Sequence, residues 1–218
     1  MRNNLYHSIL VAVLFCALAG SGSAGVIYDV TLNTNVLVGH PAGPFAIEFQ
    51  LNDGGGAGDG NNTAVLSNFS FGSGAATGSP ILNGNASGSA STTINLSDGA
   101  FFNQFIQTFT PGSQLGFRLT LSTNVDPGGI PDQFTFAILD RTRVELPTTF
   151  PFDVLVQIDI DSANPVVHTF ATDTGRTPAA GGSSILMGAP VVTVVSPEPA
   201  TWLLLGVGLA GFAWRRHH

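Results

Sequence analysis

The sequence predicts an all-β protein. The expected fold is an antiparallel β-sandwich of jelly-roll-like winding, with an N-terminal signal helix before it and a C-terminal hydrophobic helix after it. Three observations predict this. Apolar and polar residues alternate at period two in several separate segments. The connections are rich in Gly, Asn, Ser, Pro and Asp, with no helical segments between the strands. Two apolar runs free of charge sit at the two chain ends. An immunoglobulin-like or other sandwich is the alternative winding.

Residues 1–24 read as a secretory signal peptide, which makes signal peptidase a partner. Arg2 supplies the positive start, and SILVAVLFCALA is a 12-residue apolar core. Gly22-Ser23-Ala24 places small residues where cleavage after Ala24 requires them. The chain's single Cys, Cys16, lies in this leader, behind the bulky Phe15 that a lipoprotein signal would not place there. The apolar core is also short for an uncleaved anchor, which needs about 18–20 residues.

Residues 25–195 form the expected sandwich. Phe45, Ile47, Phe49 and Leu51 alternate with Ala46, Glu48 and Gln50. Leu115 to Leu121, Phe134 to Ile138 and Phe152 to Ile160 repeat the pattern. Further strands are expected at 26–32, 64–71, 91–97, 101–109, 165–171 and 191–195. The 101–109 segment is ambiguous, because Phe101, Phe105 and Phe109 also fit helical spacing. Two low-complexity stretches, 52–62 and 72–91, read as long surface loops that contribute little core.

The composition excludes several chemistries. Only 10% of residues are charged, against about 25% in ordinary globular proteins. There is no Lys, and a net charge of −7 leaves no footprint for nucleic acid. The sandwich has no Cys and two distant His, His40 and His168, so thiolate and multi-His metal sites are excluded. No G-x-S-x-G elbow and no phosphate loop occurs. Tyr28 is its one Tyr and it has no Trp, so its 14 Phe read as core rather than as a sugar-stacking platform.

Two carboxylate constellations remain. Asp53, Asp59 and Asn61 lie in a Gly-rich loop with the oxygen ligands a hard cation such as Ca²⁺ takes, although the spacing is not that of an EF-hand. A polar turn is the plainer reading of that loop, as it is of Asp126 and Asp132 around Pro127-Gly128-Gly129-Ile130-Pro131. Asp159 and Asp161, with Asp153, would share a strand face. That face suits glycoside hydrolysis only if it lines a cleft, and reads by default as a wet face.

The C-terminus, 196–218, is the most specific segment. Pro197-Glu198-Pro199 precedes a 14-residue uncharged run, 201–214, bracketed by Trp202 and Trp214 and closed by Arg215-Arg216. The run is expected to enter the inner membrane as a short helix, with the Arg pair held on the cytoplasmic side. This order of three parts resembles the PEP-CTERM sorting signal of exported bacterial proteins. The resemblance implies that an exosortase-type membrane protease recognises Pro197-Glu198-Pro199 and cleaves near it, releasing the protein to the cell surface or extracellular matrix. The strings QLNDGGGAGDGNNTAVLSNFSFG and DQFTFAILD are similar to a recurring group of PEP-CTERM proteins, a likeness that implies no activity. The expectation is a non-enzymatic exported protein without an obligatory cofactor. The alternatives are a Ca²⁺- or glycan-binding module of an exopolysaccharide matrix, and a secreted hydrolase.

Overall fold

A computed structural model describes residues 25–56, 58–126 and 129–195. Thirteen strands follow one another with a single three-residue 3-10 turn, Asn35–Leu37. The strands are β1 Gly25–Asn33, β2 Phe45–Asn52, β3 Thr63–Ser70, β4 Ala75–Ala76, β5 Ile81–Asn83, β6 Ala86–Gly88, β7 Ile94–Ser97, β8 Phe102–Thr110, β9 Gln114–Ser122, β10 Asp132–Leu139, β11 Val156–Ile160, β12 Val167–Thr169 and β13 Val191–Val195. They form a six-stranded sheet, β13-β1-β9-β3-β7-β6, and a seven-stranded sheet, β12-β11-β10-β2-β8-β4, with β5 also on β8. Every pairing is antiparallel.

The winding is nested. β1 pairs β9, β2 pairs β8 and β3 pairs β7, as in a long hairpin rolled into two layers. The last strands extend the sheets: β10, β11 and β12 beyond β2, and β13 beyond β1.

The two terminal helices attached to this fold in the sequence reading are corrected. Among the described residues no helix is long and apolar enough to cross a membrane, and none exceeds the 3-10 turn. The signal-helix segment, 1–24, and the tail segment, 196–218, lie outside the described residues. Among the described residues the fold is therefore a two-sheet sandwich whose one helical element is that 3-10 turn.

The alternation sets the core. On β2, Phe45, Ile47, Phe49 and Leu51 point inward and are at most 1% exposed. Phe49 is the centre of a ring cluster: Phe117 meets it edge-on at 5.1 Å and Phe136 stacks at 5.1 Å. Phe117 and Phe136 also meet edge-on, at 5.2 Å, tying the two sheets together. The ambiguous segment is strand β8, with Phe105 and Phe109 inward and Phe101 61% exposed outside the strand.

Two expectations shift. The strand expected from Phe152 begins only at Val156. The Asp153 amide bonds back to the Phe150 carbonyl, Asp153 takes a positive φ of 55° and Phe152 is 75% exposed, so 150–153 is a turn that precedes the strand. The 72–91 stretch carries the short strands β4, β5 and β6, which pair with β7 and β8. At two or three residues each they are too short to show a period.

Candidate functional site

The alternation that buries the Phe cluster continues in phase to one end of the sandwich, where the residue type changes. Along the chain beyond Phe49 and Leu51 the next inward position is Asp53. Leu96 is followed by Asp98. Asp132 precedes Phe134, and Asn62 precedes Ala64. Asp98 and Asn62 are fully buried, and Asp53 and Asp132 are 2% exposed. Both sheets thus contribute to one buried polar layer, and loops bring Asp59, Asn61 and Asp126 onto it.

Hydrogen bonds fix this layer. Asp53 Oδ1 accepts from the Gly56 amide at 2.8 Å, and its Oδ2 accepts from Gly58 at 2.6 Å and Asp59 at 3.1 Å. Asp132 accepts from the Gly54 amide at 2.9 Å and from Asn62 Nδ2 at 2.8 Å. Asn62 also donates its backbone N–H to Asp98 Oδ2 at 2.9 Å. Asn61 Nδ2 donates to Asp59 and to Asp126. Gly54 is required by close approach: a Cβ there would fall 2.0 Å from the Ile130 carbonyl oxygen.

Oxygen atoms of Asp53, Asp126 and Asp132 lie within 4.8 Å of one another. Two buried oxygens at the layer, Asp98 Oδ1 and Asn61 Oδ1, have no hydrogen-bond partner. The Asp98 carboxyl lies within hydrogen-bonding reach of the Asp132 carboxyl. Two ionised carboxylates are both acceptors, so neither satisfies the other. Burial first, and then the Asp132 carboxyl, push Asp98 up to about 7. Burial and the neighbouring carboxylates also raise Asp126, against the Asn61 bond that lowers it. Among the described residues the two ion pairs lie elsewhere: Arg118 holds Asp29 and Arg176 holds Asp153.

The structure therefore gathers Asp53, Asp59 and Asn61 as the loop reading grouped them, and adds Asp126 and Asp132, which read as a separate turn. Asp98 and Asn62 were not singled out. Each lies one residue beyond a strand, in phase with its inward residues, and that phase is the signal that could have found them.

A second polar surface lies on the outer face of the seven-stranded sheet. Cross-strand register sets Asn83, Gln104, Gln50, Thr135, Gln157 and His168 side by side across β5, β8, β2, β10, β11 and β12. At about 4.8 Å per strand this row spans ~24 Å. Gln50 Nε2 donates to Glu48 Oε1 at 2.9 Å, Gln104 donates to the same oxygen, and Asn83 donates to Gln104 at 2.6 Å. Glu48 is 2% exposed, its Oε2 is unpartnered, and burial pushes its carboxyl above the ordinary range. Beside the row, Gln50, Gln133, Thr135, Gln157, Phe150 and Phe152 line a hollow of about 260 Å³.

The hydrolase residues are not assembled. Asp159 accepts from Gln133 at 2.8 Å and Gln157 at 3.0 Å, Asp161 is exposed, and Asp153 sits in a turn under Arg176. His40 Nε2 lies 3.2 Å from Ser183 Oγ, but its Nδ1 accepts the Ala42 amide. A neutral His40 then carries its proton on Nε2 and donates to Ser183, the reverse of activating it.

The described residues define a class: an antiparallel β-sandwich with an acidic end and an amide-rich face. Residues 197–216 match the PEP-CTERM protein-sorting motif, which classifies the chain as a PEP-CTERM protein and an exosortase substrate. The match includes Pro197, Glu198, Pro199, Arg215 and Arg216, which with Ala24 lie outside the described residues. No curated protein and no solved structure matches the chain.

Proposed function

We propose that this is a non-catalytic, exported protein presented at the cell surface or in the extracellular matrix. Signal peptidase removes 1–24 after Ala24, and an exosortase-type membrane protease recognises Pro197-Glu198-Pro199 and cleaves near it. The observation that carries this reading is the motif match at 197–216. Its position supports it too: β13 ends at Val195, so Ser196 alone separates the folded module from the motif. Fractionation of host cells expressing Glu198→Ala, or a deletion of 197–199, tests it. The expected outcome is a longer, unprocessed chain retained in the envelope fraction. Normal processing and release of both variants contradicts it.

The amide row favours a second reading, in which the exported module binds a neutral polysaccharide of the matrix. Each Gln or Asn both donates and accepts, as sugar hydroxyls do. The face has few charges to desolvate. The 75% exposed Phe152 adds an apolar surface at its edge. Affinity electrophoresis in gels cast with the host exopolysaccharide tests this reading. Retardation of the parent protein and its loss in Gln50→Ala/Gln133→Ala is the expected result; equal mobility with and without polysaccharide contradicts it.

A further inference from the structure

We propose that the polar end of the sandwich is a Ca²⁺ site, with Asp53, Asp126 and Asp132 as carboxylate ligands and Asn61 Oδ1 as a neutral one. The spacing of the three carboxylates is one observation. Ca²⁺ binds oxygen at about 2.3–2.6 Å, so ligands on opposite sides of one ion stand about 4.6–5.2 Å apart. The three Asp oxygens lie within 4.8 Å of one another, so a single ion reaches all of them.

Asp98 is the second, independent observation. It is fully buried, projects inward from the end of β7, and lies against Asp132 with Oδ1 unpartnered. A fully buried oxygen with no donor calls for a partner, and a cation among such oxygens is one. Neither ion pair supplies one, because Arg118 and Arg176 are engaged at Asp29 and Asp153. Asn61 Oδ1 is in the same position, a buried oxygen without a donor, on a side chain whose Nδ2 already bonds Asp126.

The donor chemistry selects the ion. All the candidate ligands are oxygen, which excludes a preference for Zn²⁺ or Cu²⁺. Asp53 and Asp132 are already held by the Gly54, Gly56 and Gly58 amides, so the ion enters a partly organised cage. That cage mixes strand and loop ligands, which suits the flexible geometry of Ca²⁺ better than the strict octahedron of Mg²⁺. A site of this kind on an extracellular module is expected to bind at about 10⁻⁴–10⁻³ M.

Calorimetry and thermal melts of the processed protein purified from its host test the proposal, with CaCl₂ and MgCl₂ at equal ionic strength after EDTA treatment. The expected result is saturable heat with Ca²⁺ and a rise in Tm of about 5–10 °C at a hundredfold excess over Kd. Mg²⁺ should give much less. Asp126→Asn, at a partly exposed loop position, should still melt cooperatively in EDTA and weaken Ca²⁺ binding at least tenfold. Asp98→Asn places an amide against Asp132, so it should raise the EDTA melt and shrink the Ca²⁺-induced shift. No heat and no shift with Ca²⁺ overturns the proposal, and would mean that a shared proton neutralises the layer. Equal shifts with Ca²⁺ and Mg²⁺, or parent affinity in Asp126→Asn, also overturn it.

Discussion

The middle and the end of this sandwich are two layers of one interior, built on the same strands in the same phase. At the middle, Phe49, Phe117, Phe134 and Phe136 fill the space between the sheets. One step outward on the same inward phase, Asp53, Asn62, Asp98 and Asp132 fill it. Both layers are buried. The first needs only shape to be stable, and the second needs every oxygen to find a partner. The difference teaches that period-two alternation reports burial and says nothing about what the buried layer is for. The polar layer is organised largely by Asn62, whose amide nitrogen bonds Asp132 and the Asn124 carbonyl while its oxygen accepts from Ser122 and the Asn124 amide.

Substitutions in the two layers sharpen the comparison. Phe49→Ala removes the ring at the centre of the apolar layer and should destabilise the protein by about 3–5 kcal/mol, read as a lower urea midpoint with unchanged slope. Asn62→Ala should cost about 2–3 kcal/mol, because it strands several buried donors and acceptors at once. Parent-like stability in Asn62→Ala would break the claim that the end layer depends on complete pairing.

The outer amide row supplies a smaller, pH-dependent effect. Burial raises the Glu48 carboxyl. Below the ordinary carboxylate range it is neutral in both folded and unfolded chains. As pH rises past that range the unfolded chain releases the proton first, so stability falls until the folded carboxyl also ionises. Glu48→Gln keeps an oxygen for Gln50 and Gln104 and has nothing to titrate. Its Tm should exceed the parent's at pH 8 and approach it at pH 4. The smallest effect is expected at the surface. Arg118→Ala breaks the exposed pair with Asp29, and should leave the thermal melt nearly unchanged while returning the Asp29 carboxyl, which the Arg118 bond now lowers, toward its ordinary range by NMR titration.

Much of the fold was legible because large apolar residues mark a buried face. Phe45 to Leu51, Leu115 to Leu121 and Phe134 to Ile138 each became a strand with that face inward. The turn at 150–153 was misread because Phe152 keeps the phase of β11 while the backbone turns at Asp153. Strands β4 to β6 were invisible because two or three residues each, in a stretch dominated by Gly, Ala, Ser and Asn, leave no hydrophobic period. The candidate site was half legible. Asp53, Asp59 and Asn61 stood together in a Gly-rich loop, whereas Asp98 and Asp132 come from other strands and meet them only when the sheets close. The link between them was present in the phase, two residues from Leu96 and from Phe134, but an Asp after an apolar run reads first as a turn. The terminal helices were inferred from hydrophobicity, and they form no part of the architecture the described residues build.

The proposed fate of the sandwich in its host rests on the motif that begins two residues beyond β13. The most direct test is the intact mass of the protein released by its native host. The account predicts a chain that begins at Gly25 and ends near Pro197-Glu198-Pro199. A released protein whose mass still includes residues 201–218 would contradict it.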